Sequence, residues 1–184
     1  MVKPMSAKNS MEMRRVGEIM IPLADYPHLP VWSSLLEAVK MMHRAEIEAC
    51  GRKSLPRVIL LFDLDGSISG TVRRRDLMRG LEPNFLVSQP LEYHQKLFGV
   101  ATDPNLAELS FDKVAKGIRE QVNRPVTDVM CPIERTIDAD QHVMKAIYEM
   151  VSHSLSILPV MEKGKVVGVL RTVDVFHELA ELVI

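Results

Sequence analysis

Two arginine–aspartate pairs with the same spacing carry the most readily recognised chemistry in this sequence. Arg73 precedes Asp76 by three residues, as Arg171 precedes Asp174, and each pair opens an amphipathic segment. A guanidinium at the start of a helix binds phosphate through bidentate charge-assisted hydrogen bonds, aided by free amide N–H groups of the first turn. Alternatively, the arginines pair with acids across an internal interface or lie along the surface. In that case Thr172 caps its helix and Asp174 offsets the positive helix end.

The two pairs belong to two copies of one longer pattern. In each copy, two short apolar runs flank a polar turn and lead into the amphipathic segment, which predicts strand, hairpin, strand and helix. The opening phrase at 16–22 also returns at 126–132. An internal repeat of this kind is a strong indicator of architecture. The matched positions are Gly66 with Gly164, Gly70 with Gly168, Arg73 with Arg171, and Asp76 with Asp174.

An amphipathic helix is predicted ahead of the strand pair in each copy. In the first copy the apolar residues recur at i, i+3, i+4 and i+7, and Ser34 with Glu37 forms a capping box. In the second copy Asp140 stands as a capping acid before an equivalent apolar face. The apolar faces comprise Leu35, Ala38, Val39 and Met42, and Val143, Ala146, Ile147, Met150 and Val151.

The connections divide the chain into four predicted parts. Residues 1–13 read as a mobile arm, 14–83 as the first copy, 84–123 as a helical connector, and 124–184 as the second copy. The first copy is also longer, with an insertion around 49–54 that we expect to be a loop.

Composition narrows the classes of function. The chain has 184 residues, 47% of them hydrophobic, and a net charge of -1, which offers no general attraction for nucleic acid or an anionic membrane. No apolar run approaches the roughly 18 residues of a membrane span, and no secretory signal is evident, so we expect a cytoplasmic protein. Cys50 and Cys131 are expected to be reduced thiols. No catalytic or metal-binding motif is present, so we predict neither an enzyme nor a metal site.

The repeated unit resembles the CBS domain, and its tandem arrangement resembles a Bateman module. The resemblance lies in the phrase at 126–130, in Ala146, in the Leu-Pro-Val of 158–160 and in residues 168–174. It implies an α/β (α+β) fold in which two β-α-β-β-α repeats pack about a pseudo-twofold axis, with the helical insertion between them. It also implies that AMP, ADP, ATP or S-adenosylmethionine binds in the cleft between the repeats.

The resemblance further implies a set of ligand-binding residues. Asp76 and Asp174 match the family aspartate that accepts hydrogen bonds from ribose hydroxyls. Arg73 and Arg171 stand where the family has a phosphate-binding hydroxyl residue, and Thr172 lies one place out of register. In the second copy, the adenine is expected near Thr136, Ile137, Leu158, Pro159 and Val160. In the first copy the matching walls are Leu29, Leu60, Leu61 and Phe62.

The sequence therefore predicts a regulatory ligand-sensing module that transmits occupancy of its cleft by conformational change. No cofactor is required, and an adenosyl nucleotide is the expected ligand. The alternative is a ligand-free adaptor or dimerisation protein, which the two arginine substitutions favour. In either case we expect a homodimer and an unidentified protein partner, with no nucleic acid and no membrane as partners.

Overall fold

Two helix-covered sheets are built from the two copies. The computed structural model describes residues 14–49, 51–83 and 110–184. The elements of the first copy are α1 (Val16–Ile19), β1 (Ile21–Pro22), β2 (His28–Pro30), α2 (Leu35–Arg44), β3 (Ile47–Ala49), β4 (Arg52–Ser54), β5 (Val58–Phe62), β6 (Ile68–Arg73) and α3 (Arg74–Gly80). They are followed by α4 (Phe111–Gln121), β7 (Cys131–Pro132), β8 (Ile137–Asp138), α5 (Val143–Ser152), β9 (Ile157–Glu162), β10 (Lys165–Arg171) and α6 (Thr172–Val183). Short 3₁₀ turns lie at Leu23–Asp25 and Val126–Val129.

Local signals account for most helix and turn positions. The predicted capping box is confirmed: Ser34 Oγ accepts from the Glu37 N–H, and the Glu37 carboxylate accepts from the Ser34 N–H. The N-cap of α5 is His142, so the expectation of Asp140 as the cap is wrong. Gly66 and Gly164 have φ of +78° and +77° in the two hairpin turns, a conformation that glycine adopts without strain.

The connector contributes one described helix, α4, whose N-cap Ser110 accepts from the Lys113 N–H. Residues 1–13 and 84–109, and with them the predicted arm and most of the connector, lie outside the described residues, as does Cys50. The four-part division of the chain stays a prediction. No helix in the described ranges has both the length and the apolar content to cross a membrane.

The two copies exchange their opening strands. One sheet has the order β2-β5-β6-β7 and the other β1-β10-β9-β8. Thus β1, from the start of the first copy, pairs antiparallel with β10 of the second, and β7 pairs antiparallel with β6 of the first. Each sheet also contains a parallel pair, β2 with β5 and β8 with β9. The α+β fold that the resemblance implies is confirmed, and the structure adds the reciprocal exchange of opening strands.

Matched glycines make the exchange sterically feasible. A Cβ added at Gly70 would overlap Met130 Cγ and would lie 2.8 Å from the Cys131 carbonyl oxygen. A Cβ added at Gly168 would lie 2.6 Å from the Ile21 carbonyl oxygen. These distances leave no room for a side chain, so the repeated glycines permit the close approach of the exchanged strands.

Three apolar clusters hold the layers together. Alternate residues of β5 face opposite sides: Ile59 and Leu61 belong to a cluster with residues of α2 and α3, whereas Leu60 belongs to the cluster between the sheets, with Val169 of β10. The second sheet is covered similarly, with Leu158 on its helical side. Because both faces are buried, the strands read as continuous apolar runs.

The predicted loop insertion of the first copy is a two-stranded hairpin, β3 with β4. Ile47 of β3 is fully buried in the layer between the sheets, which ties the hairpin to both copies. The hairpin ends at Ser54, which reaches the second copy as described below.

Candidate functional site

Arg73 and Asp76 form a closed pair at the start of α3. Arg73 Nε donates to Asp76 Oδ2 at 2.6 Å and Nη2 donates to Oδ1 at 3.1 Å. The Arg73 backbone N–H donates to Oδ2 at 3.1 Å. The exchanged strand β7 joins this cluster, because Arg73 Nη2 lies 3.1 Å from Cys131 Sγ. The pair therefore belongs to one copy but is contacted by the other.

These contacts shift the acidity of both partners. Burial opposes ionisation of the Asp76 carboxyl, but the hydrogen bonds from the Arg73 side chain and backbone outweigh it and lower the pKa of Asp76. The hydrogen bond to Asp76 also raises the pKa of Arg73. Both groups are therefore held in their charged forms.

Arg171 and Asp174 repeat this arrangement at the start of α6. Arg171 Nε and Nη2 donate to the two Asp174 carboxylate oxygens, each at 2.6 Å. Arg171 Nη1 donates to Ser54 Oγ of the β3–β4 hairpin at 2.8 Å. The Arg171 side chain is thus fixed by both copies, with its charge compensated by the acid three residues on.

Tyr26 lies beside this second pair. It is buried in the layer between the sheets, and burial raises the pKa of its phenol well above the usual range. The positive charge of Arg171 acts in the opposite direction, and the negative charge of Asp174 adds to the rise. The phenol is therefore a neutral hydroxyl at physiological pH.

Each pair borders a cavity lined by both copies. The Arg73 cavity has a volume of about 140 Å³ and is lined by residues that include Val58, Thr71, Arg73, Cys131, Glu134 and Pro159. The Arg171 cavity has a volume of about 570 Å³ and is lined by residues that include Tyr26, Ser54, Arg57, Arg74, Ser156 and Arg171. The two cavities are adjacent and share Val58, Ser156 and Ile157 as lining residues. Both cavities lie where the resemblance locates ligands, in the cleft between the copies.

The predicted site residues divide into three groups. Arg73 and Pro159 line the Arg73 cavity, and Arg171 and Thr172 line the Arg171 cavity. Asp76 and Asp174 are buried behind the arginines and are not among the described residues that line either cavity. Three others, Ile137, Leu158 and Val160, lie in the apolar core of the second copy. Their predicted contacts with a ligand stay predictions.

Thr172 is the first residue of α6, and its exposed side chain does not cap the helix, since the N-cap is Arg171. Sequence reasoning missed Tyr26, Ser54 and Ser156 as cavity residues. Ser54 and Arg171 are 117 residues apart in the chain, and no local pattern signals a contact over that separation. Within the described residues, no cluster of three or more metal-binding side chains is placed to hold an ion.

A model of the CBS domain family matches residues 16–83 and 126–181. No curated protein matches the chain. Solved structures with a similar fold include CBSX2 from Arabidopsis thaliana in complex with AMP, with a TM-score of 0.59 and 15% identity, covering 94% of this chain and 100% of that one.

Two further structures match at similar identity. The CBS domain of a CBS domain containing membrane protein from Sphaerobacter thermophilus has a TM-score of 0.62 and 16% identity, covering 91% of this chain and 88% of that one. The cytosolic domain of the Mg²⁺ channel MgtE in complex with ATP has a TM-score of 0.56 and 18% identity, covering 89% of this chain and 48% of that one. At these identities the structural likeness establishes the fold alone. The two regions matched by the family model span more than half of the sequence, and the chain belongs to the CBS domain family, as a tandem pair of CBS domains.

Proposed function

We propose that this tandem pair is a regulatory module that binds an adenosyl nucleotide between its repeats and transmits occupancy by conformational change. The observation that carries this proposal is the pair of cavities, each lined by residues of both copies. A ligand that bridges both repeats favours the relative arrangement to which it binds more tightly, and this difference in affinity drives the change. The nucleotide complexes of CBSX2 and MgtE support the choice of ligand class.

The residue roles follow from the pairing of the arginines. Arg171 and Thr172 contact the ligand from the wall of the Arg171 cavity, and Asp174 holds Arg171 in position. Asp174 accepts from Arg171 through one lone pair on each oxygen and keeps about half of the roughly four lone-pair sites of a carboxylate for ribose hydroxyls. The sites of Asp76 are taken up by Arg73 and Cys131, so ribose binding there would have to displace one of these contacts. Ile137, Leu158 and Val160 support the walls from the core.

Binding is tested by calorimetry and thermal shift with AMP, ADP, ATP and S-adenosylmethionine. A ligand at 100 times its dissociation constant should stabilise the protein by about 2.7 kcal/mol. Ser156→Phe, which places a large side chain at both cavities, should abolish the effect, whereas Ser152→Phe, on the exposed end of α5, should not. No stabilisation by any of the four compounds would refute the proposal.

A second candidate function, an adaptor that acts through dimerisation, is favoured by one surface. Met144, Tyr148 and Val151 lie along one face of α5, at i, i+4 and i+7, and the neighbouring α6 presents Phe176; all four side chains are more than half exposed. We propose that a second copy of the chain covers this face to form a homodimer, because burial of such a stripe is favourable.

The dimer is tested by size-exclusion chromatography with light scattering, which measures the molar mass of the eluted protein. Tyr148→Glu should convert a dimer to a monomer, because the charge would be buried in the interface, while Lys145→Glu on the flank of the stripe should leave it intact. A wild-type monomer at high protein concentration would contradict this assignment. A dimer with no affinity for any adenosyl compound would favour the adaptor over the sensor.

A further inference from the structure

The two cavities differ in the charge of their walls. The Arg171 cavity is lined by three arginines, Arg57, Arg74 and Arg171, and has no carboxylate among its described lining residues. The Arg73 cavity contains Glu134 beside Arg73 and Arg135. The wall of the Arg171 cavity is therefore suited to an anion, whereas the wall of the Arg73 cavity has mixed charge.

The charge of the Arg171 cavity comes from Arg57 and Arg74. Arg171 is compensated by the bidentate contact with Asp174. Arg57 and Arg74 have exposed side chains, and in the described part of the chain neither has a carboxylate within ion-pair distance. Both guanidinium groups are thus available to a charged ligand.

Backbone contacts hold these two arginines next to each other. The Arg74 N–H donates to the Arg57 carbonyl oxygen at 3.0 Å, and Arg74 Nη2 donates to the Pro56 carbonyl oxygen at 2.7 Å. The second bond directs the Arg74 side chain toward the start of β5, where Arg57 lies. At the position that matches Arg57, the second copy has Ser156, whose carbonyl oxygen accepts from the Thr172 N–H as the Arg57 carbonyl oxygen accepts from the Arg74 N–H. Serine and threonine therefore stand in the second copy where the first has the two arginines. The cationic cluster is therefore unique to one of the two related sites.

The cavities also differ in volume, and the difference again favours the Arg171 cavity as the ligand site. Pockets for small molecules typically measure about 300–1,000 Å³. The Arg171 cavity, at about 570 Å³, falls within this range, and the Arg73 cavity, at about 140 Å³, does not. A whole nucleotide fits the first volume, and the second is too small.

We propose that the Arg171 cavity is the single nucleotide site of each chain, that it selects a nucleoside di- or triphosphate, and that Arg57 and Arg74 bind its terminal phosphates. This inference rests on the proposed function and adds ligand charge and stoichiometry to it. Guanidinium groups bind phosphate oxygens by charge-assisted hydrogen bonds. The same wall repels the sulfonium cation of S-adenosylmethionine, and a monophosphate offers Arg57 and Arg74 fewer charged oxygens than a di- or triphosphate does.

The test is calorimetry on the full chain with ATP, ADP, AMP, adenosine, S-adenosylmethionine and inorganic triphosphate. We expect one ATP per chain and affinity for ATP and ADP at least about tenfold above that for AMP, since each charge-assisted bond contributes on that scale. The variant Arg57→Gln/Arg74→Gln should lose about tenfold or more in ATP affinity and leave adenosine affinity unchanged. The matched control is Arg135→Gln in the Arg73 cavity, which should leave every affinity unchanged.

The outcomes separate this inference from the proposed function. Two ATP molecules per chain, AMP affinity equal to that of ATP, or an equal loss in the control variant would overturn the inference while leaving the nucleotide sensor in place. Binding of inorganic triphosphate, lost in the double variant, supports the anion site even where adenosine alone does not bind. No binding of any of the compounds overturns both.

Discussion

Replacement of Arg171 by methionine should lower the free energy of unfolding by about 3–5 kcal/mol, because it leaves the buried Asp174 carboxylate without its partner. The side chains of Arg171 and Asp174 are 11% and 6% exposed, so little solvent is available to compensate. Methionine keeps much of the volume of the arginine stem and thereby isolates the loss of the guanidinium.

The related pair provides the matched control. The Arg73 side chain is 38% exposed, and Asp76 also accepts the Arg73 backbone N–H, which remains in any variant. Arg73→Met should therefore lower the free energy of unfolding by only about 1–2 kcal/mol. The difference between the two variants is the quantity that tests the burial reasoning.

Equilibrium urea unfolding at neutral pH measures both variants, and the slope of the transition checks that the unfolded state is unchanged. The cycle is completed with Asp174→Asn and the double variant. Once both charges are gone no buried ion remains, so the double variant should be less destabilised than the sum of the single variants by about 0.5–3 kcal/mol. Additive losses, or a loss for Arg171→Met no larger than for Arg73→Met, would refute the reasoning.

Three further predictions concern the strand exchange and the pH dependence of stability. Gly168→Ala should destabilise the fold by about 1–3 kcal/mol in urea unfolding because its Cβ overlaps the Ile21 carbonyl, and Gly17→Ala, whose Cβ meets its nearest atom at 3.2 Å, should cost less. The raised pKa of Tyr26 means that the folded state retains a proton that the unfolded chain loses above about pH 10; stability should fall as pH rises through that value, and Tyr26→Phe should reduce the slope. The lowered pKa of Asp76 has the opposite effect on the pH dependence of stability. Its contribution to the free energy of unfolding is present above the unfolded pKa of about 3.9 and is lost as pH falls below that value. Asp76→Asn should therefore reduce the loss of stability in acid.

Features set by neighbouring residues were predictable from the sequence. The capping box of Ser34 and Glu37 and the hairpin turns at Gly66 and Gly164 each depend on a few adjacent positions. The two-copy architecture was predictable because the pattern recurs in order along the chain.

Contacts between distant segments were not predictable. Strands β1 and β7 contain two residues each, too few to carry a pattern that specifies a partner, and both copies open with the same phrase. The contact of Ser54 with Arg171 depends on the path of the inserted hairpin, which was expected to be a loop.

The arginines illustrate an intermediate case. Sequence reasoning left open a ligand clamp, an ion pair across the interface, and a surface position. The structure pairs each arginine with the aspartate three residues later in the same copy. The spacing allowed this pair, but only the burial of both carboxylates shows how strongly the guanidinium groups are engaged.

The exchange of β1 and β7 has a consequence for synthesis on the ribosome. Because β1 pairs with β10, the last strand along the described chain, its backbone groups have no partner strand until β10 has been made. The sheet of the first copy must likewise wait for β7. Pairings of such long range slow folding and expose unpaired edges in the nascent chain. The first copy therefore emerges as an incomplete intermediate: its own sheet closes only after β7 has been made, and the sheet that contains β1 closes only after β10 has been made.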